Sequence, residues 1–308
     1  MELNKIIMLK KIITKGYNYF LKKEANKIEL KKKEIEINFF KNDQIPWSEG
    51  YANHKQESIF NCISNPLVLD KFFNKKIPAN FGYRIDERIV EYPWIFANLK
   101  KGKTVFLDAG STFNFDYLLS NELIENKDKY IYTYYPEDKS YNHKRISYVY
   151  GDLRDLPFRD NFFDEIVCQS TLEHIDMDNS IYGYDLKSTF EPVVTKNYEY
   201  LKVVEELLRV LKNGGQLLIT FPYGKFENHG FFQQFDDEML QKVFDLLEVK
   251  GTIKSDYFKY EKEGWKYAER NELSKVESYN PHTGKGKLDD GAAHCRSIAC
   301  IKFIKKTY

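Results

Sequence analysis

The sequence predicts an α/β fold: a mostly parallel sheet covered by helices, closed by an antiparallel C-terminal hairpin and preceded by a helical extension. Three observations lead there. From about residue 84 onward, short unbroken apolar runs alternate with segments of helical periodicity, the pattern of a parallel sheet buried on both faces. Two long β-type stretches then follow one another near the C-terminus with no helix between them, as in an antiparallel pair at a sheet edge. The 308 residues are 42% hydrophobic and 30% charged, enough apolar material for one full α/β core and too much for a disordered chain.

The elements follow in order. Up to about Phe40 the chain reads as a helical arm, with Ile6, Leu9, Ile13 and Phe20 set among Lys5, Lys10, Lys11, Lys15, Lys22 and Lys23. The lysine pairs cut every apolar run short of a membrane span or a signal-peptide core, so a cytoplasmic chain without a transmembrane segment is expected. A basic helix of this kind suits docking on its own chain or a second copy better than lying on an anionic membrane surface, and a homo-oligomer formed through it is expected. Turn signals at Pro46, Pro66 and Pro78 mark a lid-like segment, so residues 1–83 form an arm and lid ahead of a domain over 84–308. Ile85, Ile89, Tyr92, Phe96 and Leu99 keep helical spacing, with a kink expected at Pro93.

The alternation then runs: strand Thr104–Ala109, helix Asn114–Leu123, strands Tyr130–Tyr135, Ser147–Tyr150 and Phe163–Ser170, helix Lys196–Lys212, strand Gln216–Phe221 and helix Asp236–Leu247. Leu201, Val204, Leu208 and Leu211 give the later helix its buried stripe, and Asn213–Gly215 ends it with a left-handed turn. The two terminal β stretches are Leu247–Tyr260 and Arg296–Ile304, joined by a long polar insertion.

Charge and cysteines exclude several classes of function. A formal net charge of +1 provides no field for nucleic acid. Cys62, Cys168, Cys295 and Cys300 contain no CxxC pair and are too sparse for a disulfide framework, which fits a reducing compartment.

The turn after the first strand narrows the ligand. In an open α/β sheet, ligands bind beyond the carboxyl ends of the strands where strand order reverses, and the first loop is the usual cradle. A dinucleotide brings its pyrophosphate against the following helix and calls for a G-x-G-x-x-G loop. Asp108–Phe113 reads DAGSTF, with Gly110 as its only glycine. An amino-acid end needs less: one glycine for close approach, an acid for the ammonium, and hydroxyls or amides for the carboxylate. S-adenosylmethionine is such a ligand.

At this point the chain resembles class I S-adenosylmethionine-dependent methyltransferases. FLDAGSTF matches their first motif up to Gly110 and then departs, with Thr112 where a second glycine is common; GDLRDLPFRDNFFDEIVCQSTLEHI (151–175) and EELLRVLKNGGQLLITFPYG (205–224) match later motifs in order and spacing. The resemblance covers roughly residues 84–304 and implies a Rossmann-like sheet. It implies that Asp108 lies near the methionine ammonium, the alternative being a cap on the next helix, and that Gly110 and Ser111 admit the ligand. It also implies that Asp152 receives the adenine amine beside Leu153, and that Ser170 and Thr171 meet the ligand at the fourth strand. The family's ribose-binding acid is absent, because Tyr135 stands at the expected strand end; either Glu137, two residues on, reaches back or the ribose is held another way.

Methyl transfer needs an aligned acceptor and, for a hydroxyl, a base. STLEHIDMDNSIYGYD (170–185) supplies His174, whose charge state is expected to respond near pH 7 as suits a base, with Asp176 and Asp178 to orient it or act in its place. FPYGKFENHGFFQQF (221–235) adds Tyr223, Lys225 and His229, with Phe231 and Phe232 as packing. The pair Glu173–His174 beside aspartates is compatible with Mg²⁺ or Mn²⁺, but spacing does not establish a metal and none is assigned. Together with DERIVEYPW, these segments resemble methyltransferases associated with bacterial surface-polysaccharide synthesis, implying a sugar or nucleotide-linked sugar as acceptor. Arg84, Arg88 and Arg296 are candidates for its phosphate. The competing readings are a methyltransferase-fold binding or assembly protein without catalysis, and a dehydrogenase, which the missing glycine fingerprint disfavours.

Overall fold

The structure, a computed structural model, describes residues 2–180 and 195–307, with side chains from residue 21 onward. Two compact units divide it, residues 1–55 and 56–308. The first consists of helix α1 (Glu2–Lys41) and the start of α2 (Tyr51–Ile63). Phe39 is buried there, its ring 5.4 Å from that of His54, and the turn between the helices closes at Gly50, whose φ of +98° only glycine adopts readily. Leu21, Ile28, Leu30 and Ile37 of α1 are exposed.

The second unit is the α/β core. α3 (Pro66–Phe73) starts at Asn65, whose side chain accepts from the Leu67 N–H, with Pro66 in the first turn where its missing donor costs nothing. α4 (Arg88–Asn98) is buried along almost its whole length. The strands β1 (Val105–Ala109), β2 (Asp128–Thr133), β3 (Ile146–Tyr150), β4 (Phe163–Gln169) and β5 (Leu211–Pro222) are all parallel. After the short pair β6 (Glu227–Asn228) and β7 (Gln233–Gln234) come the antiparallel strands β8 (Gly251–Glu261), β9 (Gly264–Ala268) and β10 (Ser297–Lys305). The sheet order is β3-β2-β1-β4-β5-β10-β8-β9. Successive side chains point to opposite faces. Leu107, Ile166, Leu217 and Ile219 therefore pack under α7 (Tyr200–Val210) and α8 (Asp237–Glu248), whereas Phe106, Ile131, Val167 and Leu218 pack under α4.

This is the mixed Rossmann-like sheet the sequence predicts, with local differences. The helix expected over Asn114–Leu123 is two single turns, α5 (Asp116–Leu119) and α6 (Glu122–Glu125), because the Asn121 side chain accepts from the Leu123 N–H and starts a new helix. At the C-terminus β10 inserts between β5 and β8, and β8 folds back into β9, a strand concealed in the stretch read as a polar insertion. β2 ends at Thr133, two residues before the predicted end. Strand order reverses between β1 and β4, so a crevice opens beyond their carboxyl ends.

Candidate active site

The loop after β1 is held from behind. The Asp108 carboxylate, fully buried, accepts from the Thr112 N–H (3.1 Å) and hydroxyl (3.2 Å) and from the Phe113 N–H (2.8 Å). Phe113 anchors the far end of the loop among Tyr92, Phe96 and Phe106, and the Tyr92 hydroxyl donates to the Thr112 carbonyl at 2.5 Å. Burial pushes the Asp108 carboxyl up to about 7 against the pull of these donors. Gly110 has φ +119°, and a Cβ there would lie 2.1 Å from the Thr171 hydroxyl, so both conformation and space demand glycine. Ser111 follows at φ +60° with its buried hydroxyl unpartnered.

A cavity of about 420 Å³ lies at the β1/β4 crevice, and Gly110, Glu137, Asp152, Leu153, Ser170, Thr171 and His174 are in its wall, with Arg88, Tyr134 and Arg154. Several of these side chains are already engaged. Asp152 takes a two-pronged contact from Arg154, which also reaches Asp176 and Glu199, and this guanidinium holds the Asp152 carboxyl below its usual range against the effect of burial. The Ser170 hydroxyl donates inward to Glu91 at 2.7 Å, and Thr171 to the Gln169 carbonyl at 2.9 Å. Glu137 accepts from the Asn114 amide at 2.6 Å.

His174 sits in a 3-10 turn, Leu172–His174, directly after β4. Its Nδ1 is 2.7 Å from the Phe231 carbonyl oxygen, and because a carbonyl only accepts, Nδ1 carries the hydrogen. Burial lowers its pKa to about 4, opposed by that hydrogen bond. The neutral imidazole with Nε2 as its basic nitrogen is therefore the form at pH 7, and the expectation of titration near neutrality is corrected.

Other predicted residues lie elsewhere. Asp108 is behind the loop and absent from the cavity wall, in the capping position. Asp178 is also absent from the wall; its carboxylate accepts from the Ser180 N–H at 3.0 Å and closes a turn. His229 is fully buried against Phe232, its Nε2 2.6 Å from the Ser278 hydroxyl beside Glu227, away from the cavity wall. Tyr223 donates to Asp237 and Lys225 pairs with Glu277. Tyr134 rather than Tyr135 reaches the wall, a consequence of the early end of β2. Of the three arginines only Arg88 lines the cavity: Arg84 lies over the Tyr83 ring, and Arg296 is bound to Asp290 and to the Glu277 and Gly286 carbonyls. Residues 181–185 of the predicted catalytic stretch lie outside the described residues.

The sequence reading missed Arg154 and Glu91. Glu91 is fully buried and accepts from Arg88, Gln169, Ser170 and Thr220, joining α4 to the ends of β4 and β5. Its signal was available: one acid in the apolar run IVEYPWIF has to find partners once buried.

Residues 118–219, from α5 into β5, match the methyltransferase domain family. Over these residues the chain carries a methyltransferase domain. No curated protein matches it significantly. Similar solved structures include the 1,6-didemethyltoxoflavin N1-methyltransferase of Burkholderia thailandensis, bound to 1,6-didemethyltoxoflavin and S-adenosylhomocysteine (13% identity, 68% of this chain and 74% of that one, TM-score 0.41). Others are an S-adenosylmethionine-dependent methyltransferase of Methanosarcina mazei (15%, 69% and 98%, 0.40) and the N-methyltransferase NodS of Bradyrhizobium japonicum with S-adenosylhomocysteine (10%, 82% and 98%, 0.37).

S-adenosylmethionine is the cofactor of this methyltransferase domain, and the cavity fits it. Gly110 reaches the wall with Thr171 packed against it, and carboxylates stand on the wall at Glu137 and Asp152, while Ser111 is absent from the wall and its hydroxyl is buried. Among the described residues no helix is long and apolar enough to cross a membrane.

Proposed function

We propose that this methyltransferase domain methylates a hydroxyl of a small acceptor, a sugar or nucleotide-linked sugar of surface-polysaccharide synthesis, with His174 as general base. The observation that supports it is the tautomer of His174: the Phe231 carbonyl fixes the proton on Nδ1, in a ring that lines the cavity. S-adenosylmethionine supplies a methyl group already activated on a sulfonium. The chain has to orient the hydroxyl and take its proton. A hydroxyl oxygen becomes strongly acidic as its bond to carbon forms, so a base as weak as buried His174 suffices late in the step. Arg88, held by Glu91 at 2.7 Å, brings a guanidinium to the same wall and suits a phosphate-bearing acceptor. The surface-polysaccharide assignment rests on the sequence resemblance alone.

In this reading Gly110, Glu137, Asp152 and Leu153 contact the donor, Thr171 packs on it, and Asp108, Ser111 and Ser170 position the loop and strand end. The donor-binding part is 84–308, with 1–83 as arm and lid-like segment. Four free cysteines, Cys62, Cys168, Cys295 and Cys300, favour the cytoplasm. Calorimetry with S-adenosylhomocysteine, followed by a screen of sugar nucleotides with labelled donor, tests the proposal. Label transferred only to amines, or to no sugar nucleotide, refutes the acceptor class; absence of S-adenosylhomocysteine binding refutes the site.

A further inference from the structure

Behind the Phe231–Phe232 pair, outside the cavity wall, three potential metal ligands converge. Glu87 stands just ahead of α4, and His294 and Cys295 just ahead of β10. One oxygen or nitrogen from each of the first two and the Cys295 sulfur all lie within 4.8 Å of one another. Glu87 Oε1 is 3.2 Å from His294 Nδ1. All three are buried or nearly so, with Cys295 1% and Glu87 6% exposed. Glu87 Oε1 and His294 Nδ1 face one another as an ion-pair contact, whereas Glu87 Oε2 is buried without a hydrogen-bond partner, a costly state that calls for an explanation.

We propose that Glu87, His294 and Cys295 bind a single zinc ion through a carboxylate oxygen, the imidazole Nδ1 and the thiolate sulfur. Four arguments support this assignment. Zinc bound at about 2.0 Å to nitrogen or oxygen and about 2.3 Å to sulfur keeps its ligand atoms roughly 3.3–3.8 Å apart, so the cluster closes onto an ion with shifts of about 1 Å. The donor set mixes thiolate, imidazole and carboxylate, which selects zinc over the oxygen-seeking Mg²⁺ and Ca²⁺.

The charges also balance. Binding displaces the Cys295 proton to solvent, and one thiolate plus one carboxylate neutralise the dication, leaving no net charge in a buried place. Nearby, Arg88 is already matched by Glu91. Finally, the ligands sit on rigid supports. The His294 ring packs 4.9 Å from Phe232, and the His294 carbonyl accepts from the Tyr279 N–H at 3.0 Å. Three protein ligands leave a fourth position for water or an added group, as in open zinc sites. The inference is independent of the donor and acceptor assignments, since none of the three residues lines the cavity.

The test is a titration of the full chain with Co²⁺ and then Zn²⁺. The expected result is a thiolate-to-cobalt charge-transfer band with intense visible transitions, displaced by one equivalent of Zn²⁺. In Cys295→Ala the charge-transfer band should vanish. In His294→Gln and Glu87→Gln, near-isosteric changes that keep the core filled, Zn²⁺ affinity should fall by more than about 100-fold, beyond the usual effect of an outer-shell partner. S-adenosylhomocysteine affinity, measured on each variant, should stay within a few-fold and reports an intact fold. A parent spectrum with no thiolate band overturns the proposal, as does a band that survives in Cys295→Ala or Zn²⁺ affinity unchanged in His294→Gln and Glu87→Gln.

Discussion

Gly110 and His174 carry the site at the level of single residues, and each yields a measurable expectation. Gly110→Ala places a methyl group 2.1 Å from the Thr171 hydroxyl in a backbone conformation that disfavours any side chain. S-adenosylhomocysteine affinity should fall at least about tenfold, the equivalent of about 1.4 kcal/mol; an unchanged calorimetric isotherm would reject the cradle. His174→Gln should keep donor affinity and reduce turnover about 100- to 10,000-fold, the usual worth of a positioned base. Because burial lowers the His174 pKa to about 4, parent activity should show no His174 limb between pH 5 and 8 and should fall only as pH approaches 4. The sign for stability follows from the same shift. The folded state binds fewer protons at His174 than the unfolded chain, whose imidazole titrates near 6.5, so its contribution is complete above that value and is lost as pH falls from about 6.5 to about 4. Urea midpoints measured across this range should decline less in His174→Gln than in the parent; equal declines would assign the loss to other groups.

Among elements, the loop from β1 to α5 shows what a motif reveals and what it conceals. The strand, the lone glycine and the turn were legible, because apolar runs and glycine report backbone demands directly. The direction of the Asp108 carboxylate was not, since an acid at a strand end serves a ligand or its own loop equally well until the loop conformation is known. Here it accepts from Thr112 and Phe113 and has no place on the cavity wall. Asp178 and His229 stand away from the cavity wall for a related reason: proximity in sequence to β4 and β5 does not fix which way a loop side chain turns. β9 was concealed because its five residues carry a short Trp265–Tyr267 alternation inside a polar stretch. Asp108→Asn tests the loop assignment. An amide keeps one acceptor and sets its N–H donors against one of the two backbone N–H groups, Thr112 or Phe113, so the loop should loosen and donor affinity should drop several-fold, with exchange protection lost at one of these amides. Retained protection with weakened binding would point instead to direct contact with the ligand.

For the molecule as a whole, the mostly parallel sheet with its antiparallel C-terminal strands was readable from alternation, whereas the strand order and the buried polar layer that ties α4 to the strand ends were not. Glu91, Arg88, Ser170 and Thr220 come from three distant segments, and only the folded chain brings them together. The N-terminal arm raises the remaining question of scale. Residues 1–55 form their own unit, and α1 leaves Leu21, Ile28, Leu30 and Ile37 exposed among lysines and glutamates. Exposed apolar side chains on a long helix favour association, because covering each one contributes about 1.5–3 kcal/mol when burial is complete. The cavity, by contrast, is lined from Arg88 onward. Deleting residues 1–40 should therefore leave S-adenosylhomocysteine affinity within a few-fold of the parent and shift the sedimentation coefficient to that of a smaller assembly. An unchanged assembly state would remove the arm from any role in oligomerisation, and loss of donor binding would show that the core depends on it.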